Sequence, residues 1–127
     1  MAYPYQGRDR RLPTGRLHPP HRKKRRYELG REPTLTKIGE RRIKHIRVRG
    51  GNEKVRLKAD MYVNVYDPSE GKVKKAKILK FVENPADRNL SRMNIITKGA
   101  IVETELGKVK ITSRPGQDGV LNGILLV

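Results

Sequence analysis

Between Val55 and Tyr66 the chain alternates without a break. Val55, Leu57, Ala59, Met61, Val63 and Val65 are apolar; Arg56, Lys58, Asp60, Tyr62, Asn64 and Tyr66 are polar or amphipathic. A period of two is that of a half-buried strand. Asp67-Pro68-Ser69-Glu70-Gly71 ends the run with turn chemistry, and residues 73–83 read as the returning strand. Upstream, Ile46 and Val48 share one face and His45, Arg47 and Arg49 the other, with Gly50-Gly51-Asn52 turning into the next strand as a hairpin. Downstream, Ile101–Leu106 and Val109–Thr112 flank Gly107-Lys108, a second tight hairpin. Val120–Val127 closes the chain as a buried or edge strand, and Asn84–Arg92 reads as a loop. Short strands with glycine turns, and no convincing amphipathic helix, predict a mainly β fold. The expected architecture is a small closed or partly open antiparallel β-barrel. Closure suits so small a core because it leaves few edges open.

The first 42 residues do not carry this pattern. They hold 6 of the aliphatic Val, Ile, Leu and Met side chains, against 27 in residues 43–127, and five of the eight prolines precede residue 34. Such a stretch buries too little apolar surface to offset backbone ordering, at ~1–2 kcal/mol per residue. Two parts are therefore expected: a basic extension, 1–42, disordered without a partner, and a β-barrel-like body, 43–127. Fully extended, the first part reaches roughly 140 Å at ~3.3–3.6 Å per residue.

Charge then changes the picture. The formal net charge is +17 over 127 residues, which calls for an anionic partner, nucleic acid first. With no cysteine there is no disulfide framework and no thiolate metal site. No apolar run approaches the ~18 residues of a membrane span, and MAYPYQGRDR has no apolar signal region. A membrane surface lacks the amphipathic helix it would need. The expectation is a soluble intracellular protein.

The densest basic stretch is HPPHRKKRRYELG, residues 18–30. Its cations Arg22, Lys23, Lys24, Arg25 and Arg26 belong to a set of 13 in the first 42 residues, where Arg outnumbers Lys ten to three. Arg forks onto phosphate and stacks on bases, which Lys does not. Tyrosines such as Tyr27 stack on unpaired bases. A solvated flexible face is the plain alternative. A nuclear address accounts for Lys23 to Arg26 only and leaves Arg8, Arg10, Arg11, Arg16, Arg31, Arg41, Arg42, Arg47 and Arg49 unexplained. Phosphate binding accounts for all of them, together with Lys37, Arg56, Lys58 and Arg114.

His18 and His21 have a metal-like spacing, but the surrounding cations repel a metal ion and no carboxylates stand near. No metal and no cofactor is expected; polar contacts to RNA, or plain solvent exposure, suit the two histidines better. Glu103 and Glu105, an i, i+2 pair on a strand, are read as a solvated face and not as a glycosidase pair. Gly116-Gln117-Asp118-Gly119 matches a bare GxxG, but it precedes strand-like sequence and reads as a turn. There is no Walker loop, GxSxG or HExxH. Nothing assembles a nucleophile, a base and an oxyanion site, so no enzyme is expected. An RNA-processing enzyme would have to use residues such as His45, Asp60 or Glu103.

Five stretches carry a family resemblance: RLPTGRLHPPHRKKRRYELG, TKIGERRIKHIRVRGGNEKVRL, ENPADRN, NIITKGAIV and TSRPGQDGVLN. Together they resemble small-subunit ribosomal protein eight of the archaeal and eukaryotic ("e") type, from about Tyr5 to Asn122. The length is that of archaeal members. The resemblance implies a structural constituent of the small ribosomal subunit, located in the cytoplasm and without a small-molecule substrate. Its implied partners are small-subunit ribosomal RNA and neighbouring ribosomal proteins. It also implies a barrel-like body and a basic N-terminal extension threaded into RNA. In that setting Arg47, Arg49, Arg56 and Lys58 are the expected contacts of the body. A general nucleic-acid-binding or RNA-chaperone protein without a fixed ribosomal site is the alternative.

Overall fold

The computed structural model describes residues 3–4, 11–16, 23 and 25–126. The chain divides into two compact units, 1–33 and 34–127. In the first, β1 (Tyr3–Pro4) pairs antiparallel with β2 (Leu29–Gly30). A 3-10 turn at Arg26–Glu28 leads into β2, closed by the Arg25 amide donating to the Glu28 carboxylate at 3.1 Å. A tight turn at Leu12–Gly15 uses the positive φ of Gly15.

The second unit begins ahead of residue 42 because Thr36 is tied into it. The buried Thr36 hydroxyl donates to the Leu57 carbonyl at 2.7 Å, and the Thr36 carbonyl accepts from the Ile96 amide at 2.8 Å. Three strands follow: β3 (Lys37–Ile38), β4 (Arg42–Arg47) and β5 (Glu53–Asp60). Their order is β3-β5-β4, and the β4–β5 hairpin turns at Gly50 and Gly51, both at positive φ.

The long alternating run is not one strand. It breaks at Met61 into β5 and β6 (Tyr62–Asp67), which belong to different sheets. Asp60 makes the break: its buried carboxylate accepts the Tyr62 amide at 3.0 Å, and its carbonyl accepts Gly39 N–H. The alternation survives the break because Leu57, Val63 and Val65 feed one continuous core.

From β6 the chain builds a closed barrel with β7 (Lys72–Glu83), β8 (Ile101–Thr104), β9 (Gly107–Ile111) and β10 (Asn122–Leu125), in the order β10-β6-β7-β8-β9. Among the described residues its ladders are antiparallel except β10–β6, which is parallel. That long-range pairing closes the barrel and leaves no local signal. Val63, Val65, Ala76, Ile78, Val102, Val109, Ile111 and Leu121 fill the interior, with Leu57 and Ile96 packed against them.

Three local readings are corrected. The β8–β9 hairpin turns at Glu105-Leu106, since Thr104 pairs with Gly107. The Thr104 hydroxyl accepts Leu106 N–H and donates to the Gly107 carbonyl, which fixes that register. Residues 84–92 are not all loop: α1 (Arg88–Arg92) is N-capped by Asp87, whose carboxylate accepts the Asn89 amide at 2.8 Å. The GxxG is a one-turn helix, α2 (Pro115–Asp118), ended by Gly119 at positive φ. The buried Ser113 hydroxyl donates to the Val120 carbonyl and accepts from the Asn122 amide, closing the loop that holds α2.

Candidate nucleic-acid interface

In the first unit Arg11, Arg16, Lys23, Arg25, Arg26 and Tyr27 are exposed, as is Arg31. The Arg11 guanidinium donates to the Gly15 carbonyl at 2.9 Å, so one of its five donors is committed to the turn. Tyr27 is two-thirds exposed. Arg8, Arg10, His18, His21, Arg22 and Lys24 lie outside the described residues.

In the body the register of β4 and β5 decides which cations share a face. Lys44 stands directly opposite Arg56, and Arg47 opposite Glu53. Position 56 lies an odd number of residues from 53, so Arg47 and Arg56 project from opposite sides of the ladder. The four body residues expected to act together are thus divided. Arg56 is joined instead by Lys44, a residue the sequence reading did not single out. The signal was present in RIKHIR and KVRLK, but assigning the partners requires the register.

A bulge separates the Arg42–Ala59 pair from the Ile43–Leu57 pair and leaves exposed Lys58 as the extra residue. Lys54, opposite Ile46, turns its ammonium to the Gln117 side chain at 2.7 Å. Lys37 and Arg42 are exposed on β3 and β4, and Arg49 in the hairpin turn. Arg41 is mostly exposed, its guanidinium 3.8 Å from the Asp60 carboxylate. Arg114 is exposed at the N-cap of α2, where its amide donates to Asp118 at 2.9 Å.

The residues an RNA-processing site would draw on lie on three different strands. Asp60 shapes the β5–β6 break. Glu103 pairs with Lys80 at 2.9 Å on the outer wall of the barrel. His45 is exposed on β4, opposite Val55. Glu105 sits in the hairpin turn and shares no strand face with Glu103. Among the described residues no cluster of three or more His, Cys, Asp and Glu side chains could hold a metal ion. None of their helices is long and apolar enough to cross a membrane.

Residues 5–126 match the family described as ribosomal protein S8e. The chain belongs to this family. It is 76% identical, over 99% of both chains, to the small ribosomal subunit protein eS8 of Nanoarchaeum equitans. It is 63% identical to the protein of that name from Staphylothermus marinus, over 99% of this chain and 98% of the relative. For Methanobrevibacter smithii the identity is 54%, over 95% and 97%. The resemblance carried by the five motifs is therefore real and spans the body and the basic stretch alike. For an S8e protein the geometry above describes a closed barrel carrying a smaller sheet rich in exposed cations.

Proposed function

We propose that this S8e protein is a structural constituent of the small ribosomal subunit that binds ribosomal RNA through its basic N-terminal stretch and a basic face of its β body. The observation that carries the reading is the direct opposition of Lys44 and Arg56, with Lys58 beside them at the bulge. Cations gathered on one face of a sheet give it a positive potential that attracts phosphate. The N-terminal stretch supplies Arg-rich forks and Tyr27, and its order is coupled to RNA. Recognition comes from RNA shape and backbone more than from base edges. Its neighbours are other ribosomal proteins; no cofactor, substrate or catalytic step enters.

Neutralising about 6–10 phosphates lowers affinity roughly 10³–10⁵-fold between about 50 and 200 mM salt, taking the duplex DNA slope as a guide. The deciding experiment is sedimentation of a native extract after a high-salt wash. The protein is expected to remain with small subunits at about one copy each and to be released by RNase. Spreading over many nucleic acids would instead favour a general RNA chaperone.

A further inference from the structure

We propose that the outer wall of the barrel is a stacking platform for a short stretch of unpaired RNA. The platform is read from the register. Across β9, β10, β6 and β7, the residues Lys110, Ile124, Tyr66 and Val73 form one row. Two positions along β6, Asn122, Asn64 and Lys75 form a second row. Two further on, Tyr62 stands opposite Lys77. The intervening Val63 and Val65 are buried, so these rows face outward, and Tyr62 and Tyr66 are each more than two-fifths exposed.

Tyr62 and Tyr66 are four residues apart on one strand, about 13 Å at ~3.3 Å per residue. Each ring can therefore take its own base, and base–aromatic stacking tolerates any sequence. The Lys75 ammonium lies 4.5 Å from the centroid of the Tyr62 ring. It covers one face of that ring, and where a base takes that face the ammonium swings aside to meet a phosphate. Between the tyrosines, the Asn64 amide donates to Asn122 Oδ1 at 2.9 Å. The pair still offers an acceptor and a donor, suited to a base edge or a ribose 2′-hydroxyl.

Charge selects the occupant. Lys75, Lys77 and Lys110 surround the tyrosines, and the outward positions of β6 and β10 carry no carboxylate. An apolar protein surface would match Ile124, Tyr66 and Val73 alone, and would strip water from the amides and lysines without replacing it. A single strand of RNA satisfies all three rows.

The inference rests on the RNA-binding reading above, and its test separates the two. The full chain is titrated with fluorescent single-stranded oligouridine and with a blunt RNA duplex at fixed salt. The comparison variants are Tyr62→Ser with Tyr66→Ser, and Tyr62→Phe with Tyr66→Phe, each checked by thermal melting. The serine variant should lose at least about thirtyfold in oligouridine affinity while duplex affinity holds. The phenylalanine variant should bind both as the parent does, and ultraviolet cross-links should map to Tyr62 or Tyr66. Unchanged oligouridine binding in the serine variant overturns the platform, as does an equal loss for both RNAs or cross-linking confined to residues 1–42. RNA affinity held while association with purified small-subunit proteins falls would assign the face to a protein. Failure of the parent chain to bind either RNA would defeat the underlying reading itself.

Discussion

Lys44 on β4 and Arg56 on β5 stand directly opposite each other in an antiparallel ladder. Opposite charges across a ladder contribute about 0.2–1 kcal/mol, whereas this ladder sets two cations across from each other close to a bulge. Lys44→Glu should therefore weaken binding to small-subunit RNA without destabilising the free protein. Thermal melting and RNA titration in one buffer check both halves. A variant that is as stable as the parent and binds as well would remove this face from the interface.

Gly119 lies where no side chain fits. A Cβ there would stand 2.6 Å from Val55 Cγ1 and 3.1 Å from the Val55 carbonyl oxygen, at a φ of +72°. Gly119→Ala should cost about 1–3 kcal/mol from overpacking, with left-handed strain adding ~1–2 kcal/mol. Val55→Ala removes part of the clash, so the double variant should be more stable than the two separate losses predict. Additive losses in chemical denaturation would mean that α2 shifts freely over β5.

Asn84 fastens the segment between β7 and β8. Buried, it donates to the Ile95 carbonyl at 3.1 Å and to the Thr97 hydroxyl at 2.8 Å, and accepts from the Ala86 amide at 3.1 Å. Asn84→Ala leaves a carbonyl and an amide without this partner and should destabilise by at least ~1–3 kcal/mol. Hydrogen exchange should then rise first at Ala86 and over 88–97. Uniform acceleration across the barrel would show the segment to be one cooperative unit with it.

The β6–β7 turn carries an exposed ion pair, Lys74 to Glu70 at 2.8 Å. The hydrogen bond to Glu70 raises the Lys74 pKa above its ordinary value. A raised pKa stabilises the fold fully below the unfolded-state value, and the benefit disappears as pH climbs through the folded one. Glu70→Gln should thus lower the melting temperature slightly at neutral pH and not at all in strong alkali. A deficit that persists in alkali would point to Glu70's role in the turn geometry.

The strands were legible where one face is wet. Val55 to Tyr66 announces its period because Arg56, Lys58, Asn64 and Tyr66 meet water while Leu57, Val63 and Val65 do not. The same pattern hides the sheet change at Met61, because both sheets feed one core and Asp60 turns the chain through its own carboxylate. Gly107-Lys108 has turn composition, yet the Thr104 hydroxyl draws the turn two residues earlier.

Composition and pattern alone determined that this chain is mainly β, strongly basic, divided into a proline-rich stretch and an aliphatic body, and suited to an anionic partner. These follow from net charge and from which segments bury apolar surface, both of which add along the chain. Only the tertiary structure decided which cations share a face. Arg47 and Arg56 separate, Lys44 and Arg56 meet, and Tyr62, Asn64 and Tyr66 gain Lys75, Lys77 and Asn122 as neighbours, because strand register joins residues far apart in the chain and a shift of one position reverses every face.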